Sequence, residues 1–185
     1  AVYGWGLLNA KAAAETILKN QNNTARIFKG TLNQGETYNY TFSTATDGEL
    51  KATLCWTDPP GIASTALNDP NPDVINDLDM RLTSNGNTYY PWKLNLENIA
   101  AWATRDGDNN VDTVEKIEVD NSSSGTYTLS ITHKGGLTDG AQNFSLIISG
   151  LGMTLNADDL STDTFKVWPN PAKELINYQF ASASK

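Results

Sequence analysis

Residues 77–84 read DLDMRLTS, and their period decides the fold. Leu78, Met80 and Leu82 fall on one side of an extended chain, while Asp77 and Asp79 project from the other side. That alternation belongs to a strand with one face buried. The same period recurs along most of the chain. Tyr38, Tyr40 and Phe42 share a face, as do Leu50, Ala52, Leu54 and Trp56, then Tyr127, Leu129 and Ile131, then Phe144, Leu146 and Ile148. Eight segments are predicted strands: RIFKGTL, ETYNYTF, ELKATLCW, DLDMRLTS, NTYYPW, VEKIEVD, GTYTLSITHK and QNFSLIISG. Gly, Asn, Asp and Pro turns separate them, and NTYYPW is weakened by its proline. Together they predict a mainly β fold, a jelly-roll-like antiparallel β-sandwich.

One helix precedes it. VYGWGLLNAKAAAETILKN, Val2 to Asn20, sets Leu7, Ala10, Ala14, Ile17 and Leu18 near the helical period. Such a stripe needs a partner, because isolated helices shorter than about 12–15 residues are marginal in water. KNQNNTA reads as the exit loop. After Gly150, LGMTLNADDLSTDT is a polar, acidic connector, and FKVWPNPAKELINYQF then resumes a strand pattern around a Pro-Asn-Pro turn. The expected divisions are therefore a helix at 1–20, a sandwich at 25–151, a linker at 152–164 and a short strand-bearing segment at 165–185.

Composition removes several function classes. With 185 residues and 39% hydrophobic content the chain can fill one core. A net charge of -8 argues against nucleic acid, whose phosphates need clustered Lys and Arg. No run of about 18 apolar residues is present, so no transmembrane segment is expected. The first residues lack the basic start and apolar stretch of a signal peptide, so an export signal is expected outside this sequence. Cys55, the one cysteine, has no second thiol to pair with and reads as unreactive. His133, the one histidine, shares parity with Tyr127, Leu129 and Ile131 and reads as a strand-end residue over the core.

Tyr3, Gly4, Gly6, Asn9, Ala10 and Ala13 resemble the "YGxGxxNAxxA" pattern of the last helix in the subtilisin-like serine peptidase catalytic domain. ATLCWTDPPG, INDLDMRLTSNGNTYYPW, DNNVDTVEKIEV, GTYTLSITHKG and AQNFSLIISG follow in the order of the β-domain behind that catalytic domain in a subgroup of bacterial subtilases. The resemblance covers most of 26–150 and implies a proprotein-convertase-P-domain-like jelly roll. VWPNPAKELINYQF, Val167 to Phe180, resembles the start of the C-terminal sorting domain of the type IX secretion pathway of Bacteroidetes, here expected as a truncated copy. An ordinary Pro-rich turn before an edge strand is the plainer alternative.

The resemblance implies a secreted or surface-attached subtilisin-like endopeptidase whose Ser, His and Asp lie elsewhere, in a catalytic domain directly before Ala1. Its substrate would be protein. No "GTSxAxP" serine motif is present, so this chain alone is not expected to hydrolyse peptides. Away from that catalytic domain, the helix stripe is expected to pack on the sandwich, pair with another copy or lack order. A formed helix with the stripe fully in solvent counts against a catalytic-domain remnant.

Two acidic stretches suggest calcium. Asp77 and Asp79 share a strand face, and Asp106, Asp108, Asn110 and Asp112 recur at every second position of RDGDNNVDTVE. Calcium takes six to eight oxygens at about 2.3–2.6 Å, and the resemblance also implies such sites. An EF-hand is excluded by the missing glycine and glutamate of that loop. The same residues also suit a solvated loop whose Asp side chains bond turn amides and Arg81 or Lys116. Asp58 reads as a turn former. Trp56, Tyr89, Tyr90, Trp92 and Trp102 raise a second function class, a carbohydrate- or cell-surface-binding module, against packing as the default.

Overall fold

The computed structural model describes residues 7–63, 71–96, 98 and 100–152, together with the strand backbones of 165–168 and 177–180. Two compact units result, Ala1–Met153 and Thr154–Lys185. The first holds α1 (Ala10–Gln21) and eight strands: β1 (Ala25–Asn33), β2 (Tyr38–Thr44), β3 (Gly48–Trp56), β4 (Asp77–Ser84), β5 (Asn87–Tyr89), β6 (Val114–Ser122), β7 (Gly125–Lys134) and β8 (Ala141–Ser149). The second unit holds β9 (Phe165–Trp168) paired antiparallel with β10 (Asn177–Phe180).

Strand pairing in the first unit is nested. β1 pairs with β8, β2 with β7, β3 with β6 and β4 with β5, all antiparallel. The path is that of one long hairpin rolled on itself, with its tip at Asn85–Gly86. Both tip residues have positive φ, 49° and 78°, the geometry of a two-residue hairpin turn. Rolling adds the β3–β8 and β4–β7 pairs and yields two four-stranded sheets, β1-β8-β3-β6 and β2-β7-β4-β5. This is the jelly-roll order.

Each predicted strand is present, and the alternation points where the sequence said it would. Leu50, Leu54, Leu78, Leu82, Leu129, Ile131, Leu146 and Ile148 have no exposed surface and fill the space between the sheets. Tyr38 and Tyr40 are only partly buried, because β2 is an edge strand; they pack with Phe28, Phe42 and Phe144. The segment NTYYPW is strand only over Asn87–Tyr89. Pro91, which lacks an N–H, cannot extend the ladder.

The helix departs from expectation. Val2 to Gly6 lie outside the described residues, and α1 runs over Ala10–Gln21. Asn9 caps it, its side chain accepting from Ala12 N at 2.9 Å. Asn20 Oδ1 accepts from Ile27 N at 2.9 Å, and Thr24 N donates to Lys19 O, so the helix is tied to the start of β1. None of its residues is buried: Ile17 and Leu18 keep 56% and 57% of their surface, and Leu7, ahead of the helix, is 93% exposed. The stripe therefore does not pack on the sandwich, and a formed helix with its stripe in solvent is the outcome that counts against a catalytic-domain remnant. Caps and backbone ties hold the helix without that packing.

Gly150 ends β8 with φ +91°, where a Cβ would lie 2.0 Å from the Glu49 carbonyl oxygen. Gly86 has φ +78° and open space around it. Gly150→Ala is expected to lose about 2–4 kcal/mol from the combined clash and strain, and Gly86→Ala roughly 1 kcal/mol from conformation alone. Urea unfolding of both variants checks the order, and equal losses would contradict the close approach.

Candidate functional site

The charged cluster arises from a gap in sheet pairing. β5 pairs only with Leu82–Ser84, so the half of β4 from Asp77 to Arg81 has a bare edge on that side. Glu115 closes it. This residue shares the core side of β6 with Ile117 and Val119, has no exposed surface, and accepts the Met80 N–H at Oε2. Its Oε1 has no partner, nor has the buried Asp77 Oδ1. Burial pushes the Glu115 carboxyl up to about 9, helped by the charges of Asp79, Asp77 and Asp108 and opposed by the Met80 hydrogen bond. It is therefore neutral at pH 7.

On the other face of β4, Asp77 and Asp79 meet Lys134, which pairs with Asp77 in strand register. Its Nζ lies 2.7 Å from Asp79 Oδ1, 3.0 Å from Asp108 Oδ2 and 3.8 Å from Asp77 Oδ2, and also donates to Asn110 Oδ1. Arg81 pairs with Asp108 and lies over the Tyr90 ring. Burial raises Asp77 and Asp79 despite Lys134. For Asp108, burial is outweighed by Lys134 and Arg81, and its carboxyl is lowered. Burial works against the Lys134 charge, yet the bonds to Asp79 and Asp108 leave its ammonium raised.

Four of the six residues proposed for calcium, Asp77, Asp79, Asp108 and Asn110, thus converge, and the Lys134 ammonium sits among their oxygens. The other two do not join them. Asp106 accepts from Thr104 Oγ1 at 2.8 Å and pairs with Lys93 at 3.2 Å, while Asp112 accepts from Asn109 Nδ2 at 3.1 Å. Among the described residues, no group of three or more His, Cys, Asp or Glu side chains is arranged to hold a metal ion as it stands. Sequence reasoning missed Glu115 and Lys134. A charged residue on the apolar parity of VEKIEV was the available signal for the first; the second is visible only in the strand register.

The remaining candidates have structural work. Asp58 accepts from Ile75 N at 2.6 Å and Asn76 N at 2.8 Å, clamping the loop after β3 to the entry of β4. His133 Nε2 accepts from Gly35 N at 2.7 Å and its Nδ1 lies 3.0 Å from Gly135 O, an arrangement that places the ring proton on Nδ1. Trp92 donates to Glu118 at 2.7 Å and lies under Arg105. Trp56 is 7% exposed. Of the five aromatics proposed as a sugar platform, Trp102 alone is fully presented, at 92% exposure, beside the half-exposed Leu94 and Leu96.

No protein-family model matches the chain, and no curated protein matches it. Solved structures that resemble it include the pre-peptidase C-terminal domain of a collagenase from Bacillus anthracis, 16% identical over 65% of this chain and 86% of that one, with a TM-score of 0.36. Another is the Yersinia pseudotuberculosis-derived mitogen, 17% identical over 72% of this chain and 92% of that one, TM-score 0.36. A third is Aeromonas hydrophila PliG, a periplasmic lysozyme inhibitor of g-type lysozyme, 15% identical over 68% and 85%, TM-score 0.35. At that distance the likeness says nothing about what the chain does.

The raised Glu115 carboxyl carries a pH signature. Protonation favours the fold fully below the unfolded pKa, near 4.5, and that contribution is lost as pH rises towards about 9. Glu115→Gln keeps the acceptor for Met80 N–H and removes the ionisation. In chelator-containing buffer, wild type and variant are expected to melt together at pH 4, with the variant several degrees higher at pH 9. Parallel melting curves across that range would refute the buried neutral acid.

Proposed function

We propose that the first unit is a non-catalytic accessory β-sandwich of an exported subtilisin-like serine endopeptidase, stabilising the catalytic domain or assisting its grip on protein substrate. The observation that carries this reading is the order of the motifs from Arg26 to Gly150 on a jelly roll with one helix at its head. The helix itself weighs against it, because α1 is formed with its apolar stripe in solvent. The reading therefore requires another domain to cover Leu7, Ile17 and Leu18 in the parent protein. Residues 165–185 are proposed as the start of a type IX sorting segment, on the Pro-Asn-Pro pattern.

A second reading, a glycan-binding module, has one observation in its favour, the bare indole of Trp102. Binding on a glycan array that disappears with Trp102→Ala would favour it over the accessory role.

Two experiments test the main reading. The full-length parent enzyme is compared with a version ending near Asn20 and with Ile17→Glu. Both changes are expected to lower thermal stability, the point substitution by about 2 kcal/mol for the lost apolar burial, and the truncation is expected to slow protein-substrate turnover. Equal stability and turnover in all three remove the proposal.

Calcium is proposed at Asp77, Asp79, Asp108 and Asn110, where hard oxygen donors converge and Asp77 Oδ1 is left without a partner. The ion would have to displace the Lys134 ammonium. Melting in millimolar calcium is expected to exceed melting in chelator by several degrees, since an ion bound only by the folded state stabilises it by mass action. Identical melts overturn the site.

A further inference from the structure

The chain between β5 and β6 forms a pocket of about 460 Å³. One wall is the run from Trp102 to Asp106, and its residues alternate: Trp102, Thr104 and Asp106 are exposed, while Ala103 and Arg105 are half-buried, Arg105 over the Trp92 ring. A period of two sets the three exposed side chains on one side, and all three line the pocket. Lys93 joins them, because its bridge to Thr104 puts the two side chains on a common face. Its Nζ lies 3.2 Å from Asp106 Oδ1, which also accepts from Thr104 Oγ1 at 2.8 Å. At about 3.3 Å per residue the run spans roughly 13 Å, enough for a short chain of sugar rings.

Tryptophan is seldom left in solvent, yet Trp102 is 92% exposed while Trp92 in the same segment is covered by Arg105. A Trp ring offers about 150–250 Å². Even with the edges of Leu94 and Leu96, which line the same pocket, this falls well short of the roughly 800 Å² per partner in a stable protein interface. A small, flat ligand fits better. Beyond the indole, the Lys93 ammonium and the Asp106 carboxylate set a donor beside an acceptor, and a hydroxyl group satisfies either. We propose that this pocket binds a short uncharged glycan, one pyranose ring stacking its C–H face on Trp102 and a following ring giving hydroxyls to Asp106 and Lys93. Sugars with equatorial hydroxyls, such as β-linked glucose, present the flat C–H face that stacking needs. Acidic sugars are disfavoured, since Asp106 already neutralises Lys93 and the chain carries a net charge of -8.

This deepens the glycan reading, on which it rests, by naming its site and sugar class. The experiment is titration of the ¹⁵N-labelled 185-residue chain with cellotriose, trigalacturonate and capped trialanine, following the indole cross-peaks, with Trp102→Phe identifying the Trp102 signal. Cellotriose is expected to move that cross-peak saturably, with at least fivefold weaker affinity in Asp106→Ala and for trigalacturonate. Trp102 and Asp106 are both exposed, so neither substitution threatens the fold. A Trp102 signal unmoved by cellotriose, moved equally in Asp106→Ala or by trigalacturonate, or moved by trialanine alone overturns the proposal. Glycan-array binding that depends on Trp102, found together with no response to cellotriose, removes this sugar class and leaves the glycan reading standing.

Discussion

A single hydrogen bond, from Met80 N–H to Glu115 Oε2, fixes how the two sheets of the sandwich meet at their charged end. It exists because β5 is only three residues long and leaves half of β4 without a ladder partner. Burying a carboxyl is costly when charged, so the cheap solution is to bury it protonated. The surrounding carboxylates enforce that choice. Asp77, Asp79 and Asp108 all oppose a charge on Glu115, while Lys134 and Arg81 offset the charges of those three from the outer side. The result is a neutral acid on the core side of β6 beside a part-buried ionic cluster in which three carboxylates share two cations.

This arrangement explains what was legible in the sequence. Strands were, because each strand's alternation is local and both sheets bury only one face. The jelly-roll class was legible as well, from eight such strands in one chain, but the individual partners were not, since nothing in RIFKGTL announces QNFSLIISG; pairing depends on which faces can close over a common core. Among the acidic residues, spacing grouped Asp106, Asp108, Asn110 and Asp112, but the loop turns so that Asp106 goes to Lys93 and Asp112 to Asn109. Spacing along a loop does not determine convergence. Convergence came instead from strand register, which set Lys134 opposite Asp77.

The aromatic residues show the same limit from another direction. Trp92 and Tyr90 looked like binding faces by type, yet Arg105 and Arg81 lie over them. Guanidinium stacking on a ring gains attraction and covers apolar surface at once. Trp56 was correctly read as a core residue, but parity alone could not reveal that its polar edge would be left unpaired. Likewise the helix stripe was legible as apolar and periodic, while its lack of cover required the folded chain.

The helix and the outer face of the β1-β8-β3 side are connected through one strand. Ile27, Lys29 and Thr31 lie on the same side of β1 by alternation, and Asn20 of α1 bonds the Ile27 amide directly. The ionic cluster around Lys134 draws on β4 and β7 of the opposite sheet and on β6. Two routes join it to the β1-β8-β3 side: β3, paired with both β6 and β8, and the buried bond from Asn76 Nδ2, next to Asp77, to Gln142 Oε1 on β8. A change in the charge of the cluster therefore bears on both sheets of the roll, through strand pairing on one side and through a buried amide pair on the other.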